Sequence, residues 1–507
     1  MSVRVRYAPS PTGSPHVGNI RDALFKHLFA KHHGGVNILR IEDTDRTRYV
    51  EGAIEEQIES LNWLGIEWQE GHLKGGDCGP YIQSERQALG IYDKWINVLL
   101  ESGHAYKAFE TPEELEEMRD FQKINKQQFG YFGGEWRDAT PAQVEAAERA
   151  GKPFVIRQRI PRETIVIEDY IRGRLEFDGN TVDDPVLIKA DKMPTYHFAA
   201  MVDDHLMGIT HIMRGEEWIS SAPKHAALFD SFGWSRPIFV HSPVIKGKDG
   251  SKLSKRHGDT RCLDYRSAGY LPHALDNFIA LIGWAPGGDR ELMSMNELIE
   301  AFDLDGLQPA PGIFDLDKLN WMNGHYMRQN DLKVLVQKVV DYAASADAAA
   351  YWSKEERAES GMVEKLGRLS AAASADFDYV AKTVALEQER VTTFPDFAVK
   401  AEFFYREDYA YDPAAVEKWL TKDYVPQLIA NLKAACEGKE SMSIEECEAL
   451  VRGQVEVLGQ EKLGPVVHPT RVALTGQTVG PGLFELMSAL GPARMIARLD
   501  RALALSQ

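Results

Sequence analysis

Val3-Arg4-Val5-Arg6-Tyr7-Ala8-Pro9-Ser10-Pro11-Thr12-Gly13, followed at once by His16-Val17-Gly18-Asn19, is the stretch whose reading decides the fold. Val3 to Tyr7 alternates in the manner of a strand with one buried face. A Pro- and Gly-rich loop, Ala8 to Gly18, leads into a segment with Leu24, Phe25, Leu28 and Phe29 on one helical face. That helix is expected to stop at His32-His33-Gly34-Gly35, where basic residues precede a glycine. Val36 to Ile41 then reads as a strand and Glu51 to Leu64 as an amphipathic helix. Such alternation predicts a parallel, doubly wound sheet. A loop entering a helix N-terminus offers unpaired backbone N–H groups and a favourable dipole to a phosphate. Gly18 allows a nucleotide to approach the backbone, and His16 is suited to donate to phosphoryl oxygens. Taken alone, a turn of this kind is more often an ordinary connection.

Further along, the pattern changes. Thr111-Pro112-Glu113-Glu114 carries a Thr cap, a proline at the first helical position and early acids, and Thr140-Pro141 repeats the signal. Short strands are expected at Phe154 to Ile160 and Thr164 to Asp169, so 110–189 reads as an α+β insertion. The α/β pattern resumes near Pro194 and runs through Ile238-Phe239-Val240. Beyond about residue 325 strand signals fade, and Ala-rich, charge-laced stretches predict helices. By composition alone, a helical scaffold without a ligand of its own is the lesser alternative for that last third.

The bulk properties narrow the class. A chain of 507 residues predicts roughly three or four domains. With 44% hydrophobic and 26% charged residues it is not a wholly disordered chain. The start has no apolar signal region, and the longest apolar run, Phe278 to Ala285, is too short to cross a bilayer. Cys78, Cys262, Cys436 and Cys447 form no C-x-x-C pair, which points to a reduced, cytoplasmic protein without a disulfide framework. The net charge of −18 argues against indiscriminate nucleic-acid binding, although a local basic face can coexist with it.

One such basic segment is Lys246-Gly247-Lys248-Asp249-Gly250-Ser251-Lys252-Leu253-Ser254-Lys255-Arg256-His257-Gly258. Lys246, Lys248, Lys252, Lys255 and Arg256 against Asp249 leave a balance of +4. A charge run is ordinarily a solvated surface. In so acidic a chain, a mobile Gly-rich loop that stabilises phosphoryl charge fits better.

Together the two segments carry a resemblance. His16-Val17-Gly18-Asn19 resembles the HIGH signature, and Lys252-Leu253-Ser254-Lys255-Arg256 the KMSKS signature, of class I aminoacyl-tRNA synthetases. Arg40-Ile41-Glu42-Asp43-Thr44-Asp45, Pro194-Thr195-Tyr196, Val202-Asp203-Asp204-His205, Arg214-Gly215-Glu216-Glu217-Trp218 and Leu319-Asn320-Trp321-Met322-Asn323 resemble the bacterial-type glutamyl-tRNA synthetases. The resemblance spans nearly the whole chain and is looser beyond residue 325. It implies a Rossmann-like catalytic domain at 1–109 and 190–240, with an acceptor-binding insertion at 110–189. A stem-contact domain with the KMSKS-like loop follows at 241–324, then all-α anticodon-binding domains at 325–390 and 391–507.

The resemblance also implies the chemistry. L-Glutamate is activated by ATP to glutamyl-adenylate and transferred to the terminal adenosine of tRNA(Glu), leaving AMP and diphosphate. Glutamate would sit among Arg6, Ala8, Ser10, Glu42, Tyr196 and Arg214. Arg214 would take the side-chain carboxylate, Arg6 a carboxylate and Glu42 the ammonium. Either arginine, read singly, is as readily a structural ion pair. Where some members offer an Asn after the tyrosine, this chain has Ala200. His16, Gly18, Asn19, Glu217, Trp218, Lys252, Ser254 and Lys255 would hold ATP, with His16, Lys252 and Lys255 catalytic and Mg²⁺ on the phosphates. Relatives with a zinc knuckle carry C-x-C where this chain has Tyr106-Lys107-Ala108-Phe109-Glu110-Thr111, so no structural zinc is expected. Arg390 aligns with an arginine that reads the anticodon, and is as readily an exposed helix-end charge. A monomer with no membrane partner is expected. The rivals are a glutaminyl-tRNA synthetase, whose C-terminal part is built of β-barrels, a truncated queuosine-glutamylating relative, and a synthetase-like RNA-binding protein without activity.

Overall fold

The computed structural model describes residues 2–251, 253 and 261–505. They divide into two units, Met1–Leu263 with Leu275–Leu316, and Asp264–Ala274 with Asp317–Gln507. In the first unit the strands are β1 (Arg4–Tyr7), β2 (Val36–Leu39), β3 (Glu70–Gly71), β4 (Ala105–Ala108), β5 (Val155–Gln158) and β6 (Thr164–Asp169). They continue with β7 (Gly173–Asp178), β8 (Val186–Ile188), β9 (His211–Gly215), β10 (Ile238–Ser242), β11 (Ile245–Gly247) and β12 (Gly312–Phe314).

The opening stretch builds the expected unit. Strand β1 pairs in parallel with β2, and β2 with β3. Helix α1 (Val17–His32) lies between the first two strands, with Ile20, Leu24 and Leu28 fully buried. On the other flank of β1, the Thr210 N–H donates to the Arg4 carbonyl at 2.9 Å, and the Arg4 N–H donates to the Thr210 hydroxyl at 2.9 Å. Thr210 leads directly into β9, which pairs in parallel with β10. The parallel layer therefore runs β3-β2-β1, then β9-β10, and its winding reverses at β1. In open α/β sheets ligands bind outside the carboxyl ends of the strands at such a switch point.

Two pairings were not readable from strand propensity. Ala105–Ala108 pairs antiparallel with Val155–Gln158, which also carries β8, so these three strands form a sheet of their own. The hairpin β6–β7 instead joins β10, where Asp169 stands opposite Phe239. A segment's tendency to be extended says nothing of its partner, which the rest of the fold supplies. The small sheet packs the helix Pro112–Ile124, begun by a Thr111–Glu114 capping box, around Tyr106, Ala108 and Tyr131. Asp184 is buried within it and accepts from the Tyr106 hydroxyl at 2.7 Å, the Ile160 N–H at 3.1 Å and Arg162 at 3.1 Å, with Arg137 also paired to it. Phe109 packs on Trp136 and Phe154, with centroids 4.6 and 5.3 Å away.

In the second unit every regular element among the described residues past 316 is helical, as the fading strand signal predicts. Leu319-Asn320-Trp321-Met322-Asn323 lies within the helix Leu316–Gln329 and holds the 270–271 segment: Asn320 accepts from the Tyr270 hydroxyl at 2.6 Å and Asn323 from the Leu271 N–H at 2.9 Å. A core within this unit gathers Phe403, Leu428, Leu432, Val451, Val472, Leu486 and Leu499. No helix among the described residues is long and apolar enough to cross a membrane.

Candidate active site

At the carboxyl end of β1, Arg6 is buried and forms a bidentate pair with Asp204, Nε to Oδ1 at 2.8 Å and Nη2 to Oδ2 at 3.1 Å. Asp204 lies on the helix Tyr196–Leu206 and also accepts from Arg40 Nη1 at 2.8 Å. Arg40 in turn places Nη2 at 2.8 Å and Nε at 3.3 Å from Glu42, both on Oε1. The neighbouring Asp203 accepts from Arg86 at 2.6 Å, Gln83 at 2.9 Å and the Tyr92 hydroxyl at 2.9 Å. These buried ions survive desolvation because each is paired and hydrogen-bonded. Arg6 and Glu42 are thus both tied to protein partners, with Arg6 Nε and Nη2 and Glu42 Oε1 already engaged.

Arg214, the penultimate residue of β9, is buried in different company. Its Nε donates to His241 Nε2 at 3.1 Å and its Nη1 lies 2.8 Å from His225 Nδ1. Its Nη2 is buried and, among the described residues, makes no hydrogen bond of ordinary geometry, while the neutral Tyr196 phenol acts on the guanidinium. Among the described residues no carboxylate forms an ion pair with it, and burial lowers its pKa. Behind the two imidazoles stand Asp169, 2.6 Å from His241 Nδ1, and His197, whose Nδ1 is 2.9 Å from His225 Nε2. Burial lowers the pKa of His225 and His241 and pushes His197 down to about 4, so all three rings are neutral. Burial raises the pKa of the Tyr196 phenol, with Arg214, Glu42 and Arg6 close by, and its ring packs on Trp218 with centroids 4.4 Å apart. Trp218 also lies under the Arg214 guanidinium at 5.9 Å. Ala200 is fully buried in the core beneath.

On the amino side of α1, the sequence loop becomes a cap. His16 Nδ1 accepts the Gly18 N–H at 3.0 Å and the Asn19 N–H at 3.4 Å, while Asn19 Oδ1 accepts the His16 N–H at 3.1 Å. Two of the helix's open N–H groups are thereby directed to the imidazole itself, which places its proton on Nε2. Ser10 is exposed and Ala8 half-buried in the loop that precedes this cap. That loop runs beside the 40–50 segment, with the Glu42 N–H on the Pro9 carbonyl and the Val50 N–H on that of Pro11. Glu217 is exposed at the end of β9, its carboxylate folded back over Gly215.

Of the basic segment, Lys246 lies on β11, and Gly247 to Ser251 forms a tight turn closed by the Gly247 N–H on the Ser251 carbonyl at 2.9 Å. Lys252, Ser254 and Lys255 lie outside the described residues. Directly after them, Arg261 bridges His16 and the Cys262 N–H donates to the Pro15 carbonyl at 2.9 Å. The chain leaving the lysine-rich stretch therefore returns to the His16 turn. Arg390, in the second unit, pairs with the buried Glu387 at 2.7 Å.

Neither Asp169 nor the histidines at 197, 225 and 241 stand out in the sequence, because nothing local relates them to Arg214. Only the strand register, which sets His241 beside Arg214, reveals the group.

The chain matches two family models in succession, a class I (E and Q) tRNA synthetase catalytic domain over residues 2–321 and an anticodon binding domain over residues 337–503. It is 42% identical over 510 residues to a glutamate–tRNA ligase of Dehalococcoides mccartyi, covering 99% of this chain and 98% of that protein. To one from Geobacillus thermodenitrificans it is 40% identical, covering 99% of each. A crystal structure of the glutamate tRNA ligase of Elizabethkingia meningosepticum, in complex with its amino acid, superposes with a TM-score of 0.88 at 33% identity and 100% coverage of both chains. With its parallel sheet, helical C-terminal region and full-length matches, this chain belongs to the glutamate–tRNA ligase family of class I tRNA synthetases.

Proposed function

We propose that this chain activates L-glutamate with ATP and transfers it to the 3′-terminal adenosine of tRNA(Glu). The observation that carries the substrate is Arg214 Nη2, a buried donor on a guanidinium whose hydrogen-bond partners among the described residues are neutral. Such a site favours an anion of its own size, and the glutamate side-chain carboxylate supplies one. Glu42 Oε2 takes the ammonium, since Arg40 occupies only Oε1, and Arg6 faces the α-carboxylate. Ala8 and Ser10 line the approach and Tyr196 closes the side of the pocket.

ATP lies across the mouth of the α1 turn. His16, with its proton on Nε2, donates to the triphosphate, and Gly18 and Asn19 hold that ring in place. Glu217 and Trp218 border the adenosine, and Lys252, Ser254 and Lys255 reach the phosphates from the basic segment. The glutamate α-carboxylate attacks the α-phosphorus in line and diphosphate leaves. The terminal ribose hydroxyl of tRNA then attacks the acyl carbon and AMP leaves. These cations stabilise charge that builds on the phosphoryl oxygens. Mg²⁺, carried by the nucleotide, neutralises phosphate charge; among the described residues no cluster of metal-ligating side chains stands at this pocket.

The insertion at 110–189 holds the acceptor end, and the Tyr106–Asp184 contact and Phe109–Trp136 packing that tie it to residues 105–109 do the work of a core without zinc. The segment 241–324 contacts the stem, and 325–390 and 391–507 receive the anticodon, with Arg390 presented by Glu387. The protein works as a cytoplasmic monomer. Charging of pure tRNA(Glu) and tRNA(Gln) with labelled glutamate and glutamine tests the reading: glutamate on tRNA(Glu) is expected, and a preference for glutamine would overturn it.

A further inference from the structure

Three arginines around the pocket face carboxylates at 2.8 Å or closer: Arg6 on Asp204, Arg40 on Glu42 and Arg86 on Asp203. Arg214 is the exception: among the described residues its two hydrogen-bond partners are neutral imidazoles, and the aromatic rings of Trp218 and Phe239 lie against the guanidinium. The proton positions follow from the partners. Asp169 Oδ2 takes the His241 Nδ1 proton at 2.6 Å, so Nε2 is left as a lone pair for Arg214 Nε. Asp169 is itself held by the Ile171 and Arg172 N–H groups at 3.0 and 2.8 Å on Oδ1. His225 Nδ1 accepts from Arg214 Nη1, so its proton sits on Nε2 and points to His197 Nδ1. Both rings are placed by rigid elements: His241 stands opposite Arg214 in the β9–β10 ladder, and His225 lies on the helix Ala222–Ser231.

We infer that His225 and His241 are positioning residues that make the Arg214 site select a carboxylate over a carboxamide, by anchoring the guanidinium with uncharged acceptors only. The inference rests on the reading of Arg214 as the side-chain subsite. A carboxylate ligand brings the charge that the protein withholds at contact distance. A carboxamide can offer its oxygen to Nη2, yet it leaves a buried cation without a counter-ion, which is costly. A protein carboxylate in place of His225 would hold Arg214 as firmly but would remove that discrimination.

The experiment uses the full-length enzyme with tRNA(Glu) and compares glutamate with glutamine in aminoacylation. His225→Asp is expected to raise the glutamate KM about tenfold or more, leave kcat within about threefold, and lower the glutamate-to-glutamine ratio of kcat/KM about tenfold. His225→Asn, which keeps a neutral acceptor, should restore values within about threefold of the parent. Asp169→Asn can donate to His241 Nδ1 and turn the proton onto Nε2, against Arg214, so it should raise the glutamate KM as well. It also carries the test should His225→Asp fail to fold. Parental KM and discrimination in the variants that fold would overturn the inference. Arg214→Ala separates the two levels: unchanged glutamate KM there removes the subsite reading itself, whereas a lost KM there beside unaffected His225 and Asp169 variants removes only the role of the imidazoles.

Discussion

The imidazole of His16 sits over Gly18, with Nδ1 accepting the Gly18 N–H at 3.0 Å and Cε1 2.9 Å from where a β-carbon on residue 18 would stand. The glycine, read from sequence as room for a nucleotide, is first of all room for this ring. Gly18→Ala should displace the imidazole, cost about 1 kcal/mol of stability through the weakened cap, and lower adenylate formation about tenfold or more. Diphosphate exchange measured alongside a denaturant melt checks both, and full exchange activity in a stable variant would contradict the cap-and-phosphate role.

Asp204 is shared by two buried guanidiniums, those of Arg6 and Arg40. Asp204→Asn leaves both with less counter-charge in a dry environment, and about 3 kcal/mol or more of stability should be lost. Urea denaturation reads this directly. A loss below about 1 kcal/mol would mean that water reaches the pair and screens it.

Glu387 is buried beside Arg390, and burial pushes its pKa up to about 7 from an ordinary 4.5. A carboxyl raised on folding binds its proton more tightly in the native state. Its contribution to stability is therefore complete below pH 4.5 and is lost as pH rises through about 7. Glu387→Gln should flatten the decline in melting temperature over that window relative to the parent. Parallel pH profiles for parent and variant would show that Glu387 titrates normally.

Lys255 lies outside the described residues, yet the chain that follows it returns to the His16 turn through Arg261 and Cys262. Lys255→Ala should reduce adenylation about 100-fold or more, while affinity for tRNA(Glu) survives. Filter binding and diphosphate exchange on the same preparation separate the two effects, and undiminished turnover would remove the loop from the chemistry.

Much of the architecture was legible because it is local. The alternation in Val3 to Tyr7, the glycine stop at 34–35 and the Thr-Pro caps at 111 and 140 each act within a few residues, and each appears at its expected place. His16 stood out as part of a loop entering a helix, whereas Arg214 was reached only through the resemblance of Arg214-Gly215-Glu216-Glu217-Trp218 to the family, since nothing local marks it. The sheet partners of Ala105–Ala108 and Thr164–Asp169 were not, because pairing depends on distant strands.

The amino-acid sequence by itself determined which segments become strands and helices and which motifs carry a phosphate-binding character, since propensity, capping and periodicity are short-range. Only the tertiary structure decided the state of each buried charge. Burial and partner geometry gave Arg6 a carboxylate and Arg214 two neutral rings, a difference that nothing in the neighbouring sequence of either residue reveals. A guanidinium's preference for an outside anion is set by what surrounds it within a few ångströms, and those neighbours come from positions as far apart as 169, 197, 225 and 241.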